Sequence, residues 1–137
     1  MSRWVARKLR AAADVVVAVQ ATIRARRVVA LRPIGDLVAA AGAETTRAES
    51  LTIQDNSGPL SPDDRRCGDR WGAAVDRALR WVPGDSACLV RSCALRDLMA
   101  ADGREMAVVR IGVRRDRGGF EAHAWVELDG TPIAEVA

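Results

Sequence analysis

Between residues 3 and about 29, apolar side chains fall at spacings near three and four: Trp4, Val5, Leu9, Ala12, Val15, Val16, Val19 and Ile23, with Arg filling much of the remainder. That period predicts an amphipathic helix. Pro33 and Gly35 then break the pattern, Asp36 can cap, and "DLVAAAG" predicts a short second helix ending at Gly42. From Ala43 to Asp63 the chain is polar, carries two prolines and has no period. It predicts a long loop, and loops of that length are usually functional or disordered. "DDRRCGDRWGAAVDRALRWVP" restores helical spacing through Trp71, Ala74, Val75, Ala78 and Leu79, and Pro83-Gly84 ends it. Asp85 or Ser86 can cap a further helix through "ACLVRSCALRDLMAAD", which stops at Gly103.

After Gly103 the period changes from helical to alternating. "EMAVVRIGV", "GFEAHAWVEL" and "TPIAEVA" predict three strands, joined by the turn "RRDRGG" and by Asp129-Gly130. Helices followed by a small antiparallel sheet make an α+β fold. The chain divides into a helical N-terminal section with its long loop, residues 1–63, and a motif-bearing part, residues 64–137. At 137 residues both belong to one compact domain. No internal repeat is visible.

Composition narrows the function. A net charge of +3 and a pI near 9.2 are mildly basic, almost wholly through Arg, and no aromatic-basic platform accompanies them. Nucleic-acid binding is not expected. Three cysteines are an odd, irregularly spaced set, which points to free thiols in a reducing cytoplasm rather than a disulfide framework. The N-terminal apolar runs are broken by Arg, so no secretory signal is expected. Residues 11–23 contain Asp14 and Gln20 and are too short for a transmembrane segment, though they could lie against a membrane or a partner helix.

A cysteine is a useful nucleophile only as thiolate, and the first turn of a helix, with its free N–H groups and positive dipole end, favours that form. Cys88 falls in such a turn. Cys93, five residues on, lies about 140° round the same helix and sits among Ala94, Leu95 and Leu98, so it reads as a buried small hydrophobe. Cys67 lies at a helix start with no base nearby. His123, the one histidine, shares a strand face with Trp125 and Glu127, while Ala122, Ala124 and Val126 take the other. A histidine paired with a cysteine takes its proton and returns it to the leaving amine.

Such a histidine needs an acceptor on its second nitrogen. Glu127 is on the same face, Asp129 pairs with Gly130 as turn punctuation, and Glu135 comes within reach if the turn before the last strand has three residues. With a two-residue turn Glu135 would pair with Ala124 and face the wrong way. One His with scattered Cys does not make a metal site, and no phosphate-binding loop is present. No cofactor is expected. Ser86 and Ser92 read as cap and helix filler.

"CLVRSCAL", "VVRIGV" and "GFEAHAWVELDG", over about residues 67 to 137, resemble the stand-alone leader peptidase of lasso-peptide biosynthesis, which has a transglutaminase- and papain-like cysteine protease core. The resemblance implies that Cys88 is the nucleophile, His123 the base, and Glu135 the acid, at a position where the family usually has Asp, with Asp129 the fallback acid. It implies removal of the leader from a ribosomally made precursor, a separate leader-recognition protein for which the helical N-terminal section and the loop at 43–63 are the candidate docking region, and a lasso cyclase that uses the freed amino terminus. ATP dependence is known among such proteins, but no residues here explain it. An acyltransferase of the same fold, or a non-catalytic scaffold module, are the alternatives.

Overall fold

A computed structural model describes residues 2–32, 59–84 and 87–135. The predicted short helix at 36–42, the loop up to residue 58 and the caps Asp85 and Ser86 lie outside the described residues. Three helices precede three strands: α1 (Arg3–Leu31), α2 (Pro62–Leu79), α3 (Ala87–Ala101), β1 (Val108–Asp116), β2 (Gly119–Leu128) and β3 (Thr131–Ile133). The fold is α+β, as the change of period predicts.

Helix α1 starts at an N-cap, Ser2, whose Oγ accepts from the Val5 N–H at 3.4 Å. The face it turns to the other helices is not the one its large apolar residues predict. Ala18, Ala21, Thr22 and Ala25 are buried, while Val5, Leu9, Val16 and Ile23 are exposed. Small side chains let the α1 backbone come close to α2 and α3, and Thr22 satisfies its buried hydroxyl on the Ala18 carbonyl at 2.7 Å.

Helix α2 begins at Pro62, two residues earlier than the predicted loop at 43–63 allows. Ser61 caps it by accepting from the Asp64 N–H at 3.2 Å, Pro62 occupies the first turn, and Asp63 and Asp64 complement the dipole. The division at 63/64 therefore falls inside the first turn of α2, and Ala18, Ala21 and Ala25 of α1 belong to the same core cluster as the rest of the chain.

Helix α3 is the centre of the molecule. Leu89, Val90, Ser92 to Leu95, Leu98 and Met99 are all buried, so it is covered by α1 and α2 on one side and by the sheet on the other. It closes with Gly103 at φ 88°: the Arg104 N–H reaches the Met99 carbonyl at 2.8 Å and the Gly103 N–H the Ala100 carbonyl at 3.1 Å. This paired closure uses a glycine because the backbone there is left-handed.

Polar contacts tie the three helices at one end. Arg70 grips Asp14, 56 residues away, through Nε at 2.7 Å and Nη2 at 2.6 Å. Asp102, just past α3, accepts from the Trp71 indole at 3.1 Å and the Cys67 thiol at 3.4 Å, with Arg70 and Arg104 beside it. Arg104 in turn donates to Asp64 at 3.1 Å.

The sheet is an antiparallel meander in the order β1-β2-β3. Its β2–β3 turn has two residues, Asp129 at φ 51° and Gly130 at φ 79°, because Leu128 pairs with Thr131. Both positive angles match the tight hairpin turn whose twist suits antiparallel strands. Val109, Ala124, Val126, Leu128 and Ile133 form the buried row against the helices. Arg110, Gly112, His123, Trp125 and Glu127 form the outer row.

Candidate active site

Cys88 is the second residue of α3, in its first turn, and it is the one thiol of the three that is not buried. It packs against the edge of the core. The approach to it is held from α1: an Arg26 Nη1 donates to the Pro83 carbonyl, and the guanidinium occupies the space that a side chain on Gly84 would need. Gly84 also has φ 153°, so both the backbone and the close approach require glycine. In sequence the Pro83-Gly84 pair reads only as a helix stop; the arginine that packs on it is 57 residues earlier in the hydrogen-bonding pattern and leaves no local signal.

The other two thiols are in different surroundings. Burial pushes the Cys93 thiol up from its ordinary value. Burial, and then the hydrogen bond to the Asp102 carboxylate, push Cys67 up to about 11. Neither is available as a thiolate at neutral pH. Ser92 is wholly buried and its hydroxyl has no partner among the described residues. Ser86 lies outside them.

Arg91 of the "CLVRSCAL" stretch is a clamp. Its Nε and Nη2 donate to the Asp76 carboxylate at 2.6 and 3.2 Å, and Nη2 also reaches the Ala134 carbonyl at 2.8 Å. It thus joins α2, α3 and the chain after β3. Gly72 makes the approach possible, since a Cβ there would lie 2.6 Å from that of Ala134.

His123 is exposed on the outer row of β2, opposite Gly112. Its ring stacks on Trp125, with centroids 5.8 Å apart and planes 21° from parallel. Trp125 Nε1 donates to Glu127 at 2.9 Å, and Arg110 Nε donates to the other oxygen of the same carboxylate at 2.9 Å. Glu127 is therefore held by Trp125 and Arg110, which leaves it out of the orienting role. Among the described residues no side-chain hydrogen bond joins His123 to Cys88 or to any carboxylate. The row of β2 that faces α3 is Ala124, Val126 and Leu128, and the His123 row faces away from it.

The two carboxylates named for the acid are placed apart from His123. Asp129 sits in the hairpin turn, six residues along an extended strand, or about 20 Å away. Glu135 follows a two-residue turn, the register in which it does not share the His123 face. Ala134, at φ 46°, ends the ladder there, and Glu135 lines a cleft of about 420 Å³ with Asp69, Gly72, Asp76 and Arg91 on the α2 side. The three-residue turn that brings Glu135 to the ring is not the turn present. Among the described residues no group of His, Cys, Asp and Glu is arranged to hold a metal ion, and none of their helices is long and apolar enough to cross a membrane.

The family profile described as the Transglutaminase-like superfamily matches residues 3–137, and the chain belongs to that superfamily. The superfamily is typically one of cysteine proteases and acyltransferases. The match begins at the start of α1, so α1 belongs to the family's own domain as well as the Cys and His segments. Comparison with curated proteins and with solved structures gave no match.

Proposed function

We propose that this chain is a cysteine endopeptidase that removes the leader from a ribosomally made lasso-peptide precursor, with Cys88 as nucleophile and His123 as base and acid. The observation that carries the choice of thiol is its placement: Cys88 is half-buried in the first turn of α3, whereas Cys67 and Cys93 are buried. The superfamily match supports a thioester mechanism. The Cys88 thiolate adds to the scissile carbonyl, and N–H groups at the start of α3 steady the oxyanion. His123, carrying the thiol proton, gives it to the leaving amine, which departs as the amino terminus of the core peptide. Water, deprotonated by the same imidazole, then cleaves the leader thioester and restores the thiol.

In this structure His123 lies on the sheet face turned away from α3, and no hydrogen bond joins it to Cys88. The proposal therefore requires the part of β2 that carries His123 to turn toward the start of α3. Glu135 keeps the acid role through the family resemblance; continuing β3 along β2 in the present two-residue-turn register would pair it with Ala124 on the inner face, so reaching the ring requires the β2–β3 pairing to shift to the three-residue-turn register. Asp129, held in its turn, has no comparable route. In this reading the partners are the precursor leader, a separate leader-recognition protein that presents it and a lasso cyclase, all cytoplasmic.

The test is to incubate the purified chain with candidate precursor peptides, with and without a recognition partner, ATP and an added amine, and to read the products by mass. Leader and core peptides are expected from the wild type. Cys88→Ala and His123→Ala are expected to give neither, with Cys67→Ala and Cys93→Ala still active. A product joined to the added amine assigns the acyltransferase reading instead. Cleavage by Cys88→Ala overturns the mechanism.

A further inference from the structure

The outward side of α1 is built to receive something. Val5, Leu9, Ala12, Val16 and Ile23 lie on one line along the helix, in steps of four, three, four and seven, and all five are exposed, Leu9 at 58% and Val16 at 60%. The opposite side of α1 already packs on α2 and α3 through its small residues, so this line is not needed for the domain core. A contiguous apolar stripe left in water marks an interaction surface. A second feature adjoins it. Val15, next to Val16, forms with Trp81, Arg77 and Arg80 a cleft of about 430 Å³, and Trp81 is 79% exposed at its rim.

Charge selects the occupant. Helix α1 carries seven Arg and Lys side chains against one acid, Asp14, and that acid is held by Arg70. Arg77 and Arg80 add two more cations at the cleft. A second copy of this chain would set cations against cations in either helix direction, which is unfavourable. An anionic bilayer would meet the same cations, but the recess beside the stripe matches the single projecting side chain that a peptide helix supplies. We infer that the α1 stripe and the Val15–Trp81 cleft dock an acidic amphipathic peptide helix. Its apolar side chains at three- and four-residue spacing lie along the stripe, one of them enters the cleft, and carboxylates on its flanks meet Lys8, Arg77 and Arg80. This surface is independent of the catalytic reading: Cys88→Ala is expected to bind the helix as the wild type does.

The experiment uses the full chain and a fluorescein-labelled synthetic three-heptad peptide with Leu on one stripe and Glu on its flanks, read by anisotropy. The same composition scrambled, and the same stripe flanked by Lys, serve as controls. Binding of the Glu-flanked helix is expected, with at least tenfold weaker binding by Val16→Asp and by Trp81→Ala, both at exposed positions and checked for unchanged circular dichroism. The Lys-flanked and scrambled peptides are expected to bind at least tenfold more weakly to the wild type. Equal binding of the scrambled peptide, or unchanged affinity in both variants, overturns the proposal. So does a concentration-dependent dimer in sedimentation that Val16→Asp disperses, which gives the face to a second copy. Sedimentation with phosphatidylglycerol vesicles that Val16→Asp abolishes, without peptide binding, gives it to a membrane and overturns it equally.

Discussion

Trp125 stacks its ring on His123 at 5.8 Å and directs its indole N–H to Glu127 at 2.9 Å. The tryptophan thus consumes a carboxylate that the same strand face offers to the histidine. The ring also lies over the β1 backbone, because a Cβ on Gly112, the residue paired with His123, would be 3.0 Å from Trp125 Cζ3. What looks in sequence like a row of chemistry is, at two of its three positions, a packed and hydrogen-bonded support.

Gly112→Ala is expected to displace the Trp125 ring and loosen the Glu127–Arg110 pair. Overpacking of this size costs about 1–3 kcal/mol. A lowered thermal midpoint with a change in tryptophan emission checks it; an unchanged midpoint contradicts the close packing.

Iodoacetamide at neutral pH is expected to modify Cys88 in the folded protein and to leave Cys67 and Cys93 untouched. The first is half-buried, while burial and the Asp102 carboxylate hold the Cys67 thiol at about 11 and burial raises Cys93. Peptide mapping after labelling, with and without guanidinium, reads the difference. Early labelling of Cys67 would contradict its bond to Asp102.

Acid is expected to weaken the helix junction. The Arg70 hydrogen bond holds the Asp14 carboxyl below its ordinary 3.8, and the Trp71 indole does the same for Asp102. A carboxyl that titrates lower in the folded chain than in the unfolded one stabilises fully above about pH 4, and loses that contribution as pH falls through the folded value. Asp14→Asn removes part of this acid sensitivity and costs about 1–3 kcal/mol at neutral pH through the lost charge-assisted bonds. Urea melts of both proteins at neutral pH and near pH 3 check it: the gap between them is expected to narrow in acid.

Arg91→Ala is expected to destabilise by about 2–3 kcal/mol, since it releases the Asp76 carboxylate and leaves the Ala134 carbonyl without its donor. Arg91→Lys restores a charge but not the forked geometry, so it recovers less than half. Thermal denaturation of the pair of variants decides it; equal midpoints for Lys and wild type would show that charge alone suffices.

Much of this protein is local and therefore legible without coordinates. Helical spacing in 3–29, the Pro83-Gly84 stop, the glycine at 103 and the Asp129-Gly130 turn each act within a few residues, and the elements follow them closely. The position of Cys88 in a first turn is of the same kind, because a helix start is set by its own neighbours. Period alone, however, does not say which side of an element meets a partner. The large apolar residues of α1 promise its buried face, yet the alanines at 18, 21 and 25 take it, because close approach of three helices around α3 favours the smallest side chains. On β2 the alternation separates His123 from Ala124 correctly, and only packing against α3 shows that the alanine row is inside. The fates of Glu127, Glu135 and Cys67 rest on Arg110, on Arg91 with Ala134, and on Asp102, partners 17 to 43 residues distant or lodged in another element. Sequence by itself determined the elements seen among the described residues, their order and the thiol at a helix start. Tertiary structure decided which faces pair and which carboxylates are already taken, since those depend on contacts between segments that no local pattern encodes.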